Sequence, residues 1–165
     1  MIGNDVIDLD LAQKESNWQR KGFLDKLFTP KEKLLISTAT NPEITVWNLW
    51  SRKEAAYKIY NRQTQIRAFI PLRLECYDLE VKDGFIYGKV ICYDKVYFTK
   101  TTITSEFIET NAVHILSDFD KINTISRETK IIKSNRIPNY YDSNNKILKP
   151  VSKSHHGRFE RIISF

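Results

Sequence analysis

Residues 50–60, W-S-R-K-E-A-A-Y-K-I-Y, place one glutamate and three cations close to three aromatic residues. Glu54 and Lys58 are four positions apart, so on a helix they share one face. Such a pair is either a surface ion pair or part of an active site, where Lys58 would hold a phosphate or take a proton. Lys53 is expected either on the solvated surface or beside a phosphorylated ligand.

A second carboxylate, Asp5, lies in I-G-N-D-V-I-D-L, residues 2–9, whose alternation predicts a short strand. A carboxylate in apolar surroundings is costly to bury unless it is paired or binds a metal. If this strand packs on the helix, Asp5 and Glu54 meet at one cation, and with phosphate oxygens and water they would form a Mg²⁺ site. Asp8 should point to the opposite strand face. Alternatively, Asp5 caps a turn and Glu54 pairs with Lys58 on a solvated face.

The C-terminal stretch S-K-S-H-H-G-R, residues 152–158, offers Ser154, His155, His156 and Arg158 around Gly157. Glycine permits a tight turn here, and histidine beside phosphate is sensible chemistry. A histidine pair near a terminus also occurs in solvated tails, so the signal is weak alone. The sequence shows neither a P-loop nor a glycine-rich dinucleotide fingerprint.

Local patterns predict helices in the first third of the chain and strands after it. Thr29, Pro30 and Glu32 form a helix start with a capping box, and the next helix is predicted over about 43–61. Strand-like segments follow Pro71, with a hairpin turn at 82–84 and a further strand over 110–117. Residues 118–150 are polar and weakly patterned, and we expect part helix and part loop.

This order predicts an α+β fold in which the N-terminal strand and helices pack on an antiparallel sheet. A chain of 165 residues is most simply one domain, 1–165, with 118–150 as a weakly patterned insertion.

The composition favours an anionic partner. The formal net charge is +6, which suits nucleic acid, a phosphate-rich cofactor or an acidic protein. Cys76 and Cys92 have no Cys-x-x-Cys spacing, so we expect two reduced, packed thiols rather than a zinc site. Acidic residues near the start and the lack of a long apolar run predict a soluble, cytoplasmic protein with no membrane partner.

Four segments, G-N-D-V-I-D-L, F-T-P-K-E, W-S-R-K-E-A-A-Y-K and S-H-H-G-R-F, occur in an order that resembles the 4′-phosphopantetheinyl transferase superfamily. The third segment matches the family's most specific motif, W-x-x-K-E-[A/S]-x-x-K. The S-K-S-H element comes last, as in the short holo-acyl-carrier-protein synthase type. Asn4 departs from the apolar residue that the family usually has before the aspartate, and Ile7 stands where two-lobed members carry another acid.

The resemblance implies a Mg²⁺-dependent transfer of 4′-phosphopantetheine from coenzyme A to a serine of an apo acyl or peptidyl carrier protein, leaving adenosine 3′,5′-bisphosphate. Asp5 and Glu54 match the metal ligands, and Lys58 matches the lysine beside the reacting phosphates. His155 matches a histidine near the coenzyme A phosphates, and Ser154 and Lys53 are expected at the same cofactor site. Glu32 is expected to be structural.

The resemblance also implies partners and assembly. Coenzyme A and a carrier protein are expected, nucleic acid is not, and the short relatives suggest a homo-oligomer. Two rival readings remain: a Mg²⁺-dependent nuclease that uses Asp5, Glu54 and Lys58, and a non-catalytic relative that binds coenzyme A or a carrier protein. A nuclease of that kind usually carries its acid-x-Lys on a strand, whereas Glu54 and Lys58 are predicted on a helix.

Overall fold

The computed structural model of the chain describes residues 1–134, 137–142 and 146–165. Its helices and antiparallel strands confirm the predicted α+β fold. The α-helices are α1 (Leu9–Glu15), α2 (Phe23–Leu27), α3 (Pro30–Thr38) and α4 (Pro42–Thr64). Short 3₁₀ helices span Pro71–Arg73 and Leu116–Lys121.

The strands form two antiparallel sheets. The first sheet has the order β1-β5-β4-β3-β2, and the second has the order β6-β10-β9-β8-β7. The strands are β1 (Ile2–Asp8), β2 (Leu74–Lys82), β3 (Phe85–Cys92), β4 (Lys95–Ile103), β5 (Phe107–Val113), β6 (Asn123–Thr124), β7 (Ile131–Ser134), β8 (Ile137–Asp142), β9 (Ile147–His156) and β10 (Phe159–Ser164).

The long helix α4 packs on the first sheet because its apolar residues recur every three or four positions. Val46, Leu49, Ala56 and Ile59 are all fully buried. Gly3 in β1 allows a close approach to this helix, since a Cβ atom there would lie 2.0 Å from the carbonyl oxygen of Ala55. Strand β1 and the middle of α4 are therefore held in direct contact, which is the condition for Asp5 and Glu54 to share a site.

Helix α3 begins where the capping box predicts. The Thr29 side chain accepts a hydrogen bond from the Glu32 N–H, and the Glu32 carboxylate accepts one from the Thr29 N–H. Glu32 is fully buried and its other carboxylate oxygen accepts a 2.8 Å hydrogen bond from the Cys76 N–H. Glu32 thus joins the helix start to β2, which confirms a structural role.

Asn4, the departure noted in the first motif, links the two sheets. Its backbone N–H donates to Ser152 Oγ at 2.9 Å, and its side-chain oxygen accepts a 2.7 Å hydrogen bond from the same hydroxyl. Its side-chain amide also donates to the Arg161 carbonyl oxygen at 3.2 Å. A polar residue here is satisfied because β9 and β10 lie against β1.

The prediction for residues 118–150 is largely wrong where the structure describes them. A 3₁₀ helix ends at Lys121, but most of the rest forms strands that build one half of the second sheet. The polar composition reflects the fact that many of these side chains remain exposed. Residues 135–136 and 143–145 of that segment lie outside the described residues.

The remaining expectations concern cysteines and membrane spans. Cys76 and Cys92 are buried free thiols, as predicted. Within the described ranges, no helix is both long and apolar enough to cross a membrane.

Candidate active site

Strand β1 presents Asp5 to the face of α4 that carries Lys58. The Lys58 ammonium lies 3.7 Å from Asp5 Oδ1 and also donates a hydrogen bond to the carbonyl oxygen of Asn4. Only 15% of the Asp5 side chain and 30% of the Lys58 side chain are exposed. The structure therefore brings Asp5 and Lys58 together across two elements that are separate in sequence.

Glu54 lies one helical turn before Lys58 and completes a group with two acids and one cation. Burial raises the pKa of Glu54, while the nearby Lys58 acts in the opposite direction. Burial also raises the pKa of Asp5, from 3.8 to about 7; Lys58 opposes this shift, and the negative charge of Glu54 adds to it. The single positive charge of Lys58 does not neutralise both half-buried carboxylates, those of Asp5 and Glu54. A bound cation would therefore favour their ionised forms.

These acids open onto a cleft of about 290 Å³ that includes both histidines. Its lining contains Asp5, Glu54, Trp50, His155 and His156. All of these side chains come from the same chain. The predicted homo-oligomer stays a prediction.

His156 is oriented by the end of β1. Its Nδ1 accepts a 2.9 Å hydrogen bond from the Asp8 N–H. A ring nitrogen that accepts carries no hydrogen, so in this arrangement the ring hydrogen is on Nε2. The sequence pattern pointed to His155 and gave no reason to prefer its neighbour, whose orientation depends on a hydrogen bond between residues 148 positions apart.

Strands β9 and β10 form a hairpin that carries His155 and His156, the histidine hairpin. Asp8 links this hairpin to β1. Its carboxylate accepts hydrogen bonds from Arg158 Nε and Nη2, both at 2.8 Å, and from the Arg158 backbone N–H at 3.0 Å. These contacts hold the pKa of Asp8 well below its usual range. Asp8 also caps α1. This carboxylate is thus committed to protein donors, in contrast to that of Asp5.

Gly157 is required where the hairpin passes Asp8. Its φ is +52°, and a Cβ atom there would lie 2.5 Å from Asp8 Oδ2. The tight turn predicted from the glycine is present between β9 and β10. It allows the Arg158 backbone and side chain to reach the same carboxylate.

Lys53 is not part of this cleft. Its side chain is 1% exposed and its ammonium donates to Glu32 Oε2 at 2.7 Å, the Leu27 carbonyl at 2.7 Å and the Pro71 carbonyl at 2.8 Å. Because an ammonium group has three N–H donors, all of them are used within the protein. This geometry favours a structural role for Lys53 and gives its predicted contact with coenzyme A no support.

Ser154 is buried on β9, next to His155 in sequence. Neighbouring residues of a strand point to opposite faces, and Ser154 does not line the acidic cleft. Its hydroxyl has no hydrogen-bond partner among the described residues. Of the predicted site residues, Asp5, Glu54, Lys58 and His155 are brought together, while Lys53 and Ser154 lie apart.

The acid and the lysine do not match the strand-borne acid-x-Lys pattern of the nuclease alternative. Glu54 and Lys58 lie within α4, on a helix rather than on a strand. Among the described residues, no cluster of three or more His, Cys, Asp or Glu side chains is placed to hold a metal. A metal here would therefore take two carboxylates from the protein and its other ligands from substrate and water.

Comparison with known proteins identifies the family. The family model described as the 4′-phosphopantetheinyl transferase superfamily matches residues 1–115. Holo-[acyl-carrier-protein] synthases from two Campylobacter jejuni subspecies, jejuni and doylei, are 42% identical over 57 residues, which is 34% of this chain and 46% of each relative. The chain thus spans about half the length of these curated relatives. The histidine hairpin lies beyond the residues that the family model matches. Since that match covers most of the chain, the protein belongs to the 4′-phosphopantetheinyl transferase superfamily.

Proposed function

We propose that this chain transfers 4′-phosphopantetheine from coenzyme A to a serine hydroxyl of an apo acyl or peptidyl carrier protein. The serine oxygen attacks the phosphorus that carries pantetheine, and the bond to the bridging oxygen of the diphosphate breaks. Adenosine 3′,5′-bisphosphate leaves, and the serine proton passes to a base in the cleft. The observation that supports this proposal is that Asp5 and Glu54 line one open cleft and Lys58 lies 3.7 Å from Asp5, in a chain of this superfamily.

The two carboxylates fit a Mg²⁺ ion. Asp5 and Glu54 line the same cleft, and burial raises the pKa of each, so both gain from a compensating cation. Carboxylate oxygens with phosphate oxygens and water are the ligands that Mg²⁺ usually takes. When bound, Mg²⁺ would neutralise charge on the diphosphate of coenzyme A.

Lys58 is assigned to the phosphates rather than to proton removal. Its ammonium lies 3.7 Å from Asp5 Oδ1 and donates a hydrogen bond to the Asn4 carbonyl oxygen, so the group acts as a donor in this structure. A charged ammonium stabilises negative charge on the leaving group but does not accept a proton. Glu54, whose pKa burial raises, is then the better proton acceptor, directly or through water.

His155 and His156 are proposed to complete the donor site from the second sheet. Both line the same cleft as Asp5 and Glu54. The Nε2–H of His156 points away from the hydrogen bond that its Nδ1 makes with Asp8, which leaves it as a donor for a phosphate oxygen. Arg158 binds Asp8 and so sets the position of this hairpin. Arg158 therefore acts as a positioning residue.

The proposal is tested by intact-mass spectrometry of apo carrier proteins after incubation with coenzyme A and Mg²⁺. A carrier that gains one phosphopantetheine group on a serine supports the transferase. A protein that binds coenzyme A but modifies no acyl or peptidyl carrier would be a non-catalytic relative. Mg²⁺-dependent cleavage of DNA without coenzyme A binding would support the nuclease.

A further inference from the structure

The free edge of β1 lies against one face of the second sheet. β1 is the first strand of its own sheet, so only its other side pairs with β5. On the free side, the Asn4 N–H donates to Ser152 Oγ at 2.9 Å. Four residues further along both strands, the Asp8 N–H donates to His156 Nδ1 at 2.9 Å. β1 and β9 therefore run side by side and are joined through side chains of β9 at two points.

Asn4 forms the first of these two points with its side chain as well as its backbone. Asn4 is fully buried, and its Oδ1 accepts a 2.7 Å hydrogen bond from the Ser152 hydroxyl. Its Nδ2 donates to the Arg161 carbonyl oxygen on β10 at 3.2 Å. A buried polar side chain is favourable only where its groups find partners, and here the partners come from two strands of the second sheet.

Asn4 also holds the reactive lysine. Its carbonyl oxygen accepts a hydrogen bond from the Lys58 ammonium, and the same ammonium lies 3.7 Å from Oδ1 of the next residue, Asp5. One residue thus connects three parts of the cleft: the strand that carries Asp5, the helix that carries Lys58, and the second sheet that carries the histidines.

Other contacts hold the second sheet less strictly next to Lys58. Arg62 donates to the Val151 carbonyl oxygen at 2.6 Å, and Arg161 donates to Glu109 at 2.6 Å. Both contacts use long side chains, which can follow a small movement of the sheet. Within the described ranges, the main hydrophobic core includes no side chain of the second sheet. Asn4 is short and bonds at both its backbone and its side chain, so it permits much less movement.

The distance between the two points determines what loss of Asn4 would do. Asp8 holds the hairpin end of β9, whereas Asn4 lies four residues earlier, about 13 Å along a strand. A sheet that kept only the short contacts at Asp8 could pivot about that point. The part of β9 next to Lys58 would then move the most. This movement would change the gap between Lys58 and the second sheet, where the phosphates of the donor are proposed to bind.

Asn4 and the second sheet are matched to each other within this chain. The superfamily usually has an apolar residue before the aspartate, and an apolar side chain could bond neither Ser152 nor the Arg161 carbonyl. The family model matches residues 1–115, and the second sheet lies beyond them. A buried polar residue of this kind adds specificity of position that non-directional apolar contacts do not supply.

We propose that Asn4 is a positioning residue of the transferase, which fixes the second sheet next to Lys58 and so sets the gap in which the phosphates of coenzyme A bind. This assignment rests on the proposed function. Asn4 does not line the cleft, so its effect on the donor passes through Lys58 and β9.

Calorimetric titration with coenzyme A and steady-state transfer assays on Asn4→Val test the assignment. Valine suits a strand and keeps the backbone contacts, but it removes both side-chain contacts. We expect weaker binding of coenzyme A and a kcat/KM for coenzyme A that is lower on the order of 10²-fold. The gain in melting temperature on adding Mg²⁺, which depends on Asp5 and Glu54, should stay as in the wild type. A purely structural role would lower the melting temperature but leave coenzyme A binding by the folded protein unchanged.

Ser152→Ala removes the same contact from the side of β9 and should weaken coenzyme A binding in the same direction. The double variant should be little weaker than Asn4→Val alone, because both changes break one shared interaction. Asn111→Val is the matched control. Asn111 lies opposite Asn4 on β5, and its side-chain oxygen is buried without a partner among the described residues. Its replacement should leave coenzyme A binding unchanged.

Wild-type affinity for coenzyme A in folded Asn4→Val and Ser152→Ala would overturn this assignment. The transferase proposal would then still stand if a carrier is modified. If Asn4→Val does not fold, Ser152→Ala alone decides, since it leaves Asn4 in place. Failure of the wild type to bind coenzyme A would overturn the proposed function and this assignment together.

Discussion

The Asp8 carboxylate and the Arg158 guanidinium lie 150 positions apart in the chain and form two 2.8 Å hydrogen bonds. This side-on, two-point contact is among the stronger polar contacts available to a protein. It joins the end of the strand that carries Asp5 to the hairpin that carries His155 and His156. The geometry of the proposed donor site therefore depends on a pair of residues that would not touch the donor themselves.

Replacement of Arg158 by Gln should reduce transfer without removing any group from the cleft. The hairpin would lose its anchor, and misplacement of a site residue by about 1 Å costs on the order of 10²-fold in rate. Steady-state transfer assays should show a lower kcat, with the Asp5, Glu54 and Lys58 group still present. A rate equal to that of the wild type in a folded variant would contradict the positioning role.

The same pair predicts how stability depends on pH. The pKa of Asp8 is depressed in the folded state, so its contribution is present above the unfolded pKa of about 3.9 and is lost as pH falls below that value. The wild type should melt at a higher temperature than Arg158→Gln near neutral pH. The difference should shrink below about pH 4, and a constant difference down to pH 2 would argue against the linkage.

The raised pKa of Asp5 predicts that stability depends on pH in the direction opposite to that predicted from Asp8. Bound Mg²⁺ should reverse this dependence. Because the pKa of Asp5 is raised from 3.8 to about 7, the folded protein without metal binds an additional proton between these values. It therefore loses stability as pH rises through that window. A bound Mg²⁺ replaces the proton, so the gain in melting temperature on adding Mg²⁺ should grow from about pH 5 to about pH 8.

Thermal unfolding with and without Mg²⁺ measures this effect, and Asp5→Asn should remove the pH dependence of the gain. Asp10→Asn is the matched control, because Asp10 is exposed and pairs with Lys14 at 2.8 Å on α1. A gain that is equal at both pH values in the wild type, or that survives in Asp5→Asn, would remove Asp5 from the metal site.

Replacement of Lys53 should lower mainly the stability of the protein, whereas replacement of Lys58 should lower mainly its transfer activity. Lys53 and Glu32 form a buried ion pair at 2.7 Å, and removing one partner of such a pair costs about 3–5 kcal/mol. Lys53→Met should therefore lower the free energy of unfolding by about that amount while the folded fraction still transfers. Lys58→Met should leave most of the stability and lose most of the transfer rate.

Denaturant titration and transfer assays on the two lysine variants decide this point. If Lys53→Met remained as stable as the wild type but bound coenzyme A poorly, the sequence-based assignment of Lys53 to the cofactor site would be restored. If Lys58→Met transferred at the wild-type rate, Lys58 would have no role at the phosphates.

Local features of the fold were predictable from the sequence where neighbouring residues decide them. The capping box of Thr29 and Glu32 and the turn at Asp83 and Gly84, both with positive φ, follow from residue types at short spacing. The helical face of Glu54 and Lys58 follows from the period of the α-helix. These signals were enough to predict α+β and to place two of the three central site residues together.

Long-range contacts were not predictable in the same way. The hydrogen bond between Asn4 and Ser152 joins residues 148 positions apart. In the sequence, Asn4 was therefore recognisable only as a departure from a motif. Strands β6, β7 and β8 in residues 118–150 span only two, four and six residues, and such short segments carry no clear alternation that would predict a strand. Burial of Lys53 depends on three acceptors from three separate segments, none of which its own neighbours indicate.

Intact-mass measurement of carrier modification by Glu54→Gln, beside the wild type, tests the central claim most directly. Gln keeps the size of the side chain but removes the charge that would hold Mg²⁺ and accept the serine proton. Glu43→Gln, in the first turn of the same helix and away from the cleft, is the matched control. We predict that the wild type and Glu43→Gln add phosphopantetheine to an apo carrier and that folded Glu54→Gln does so at least about 10²-fold more slowly. Transfer by Glu54→Gln at the wild-type rate would contradict the account.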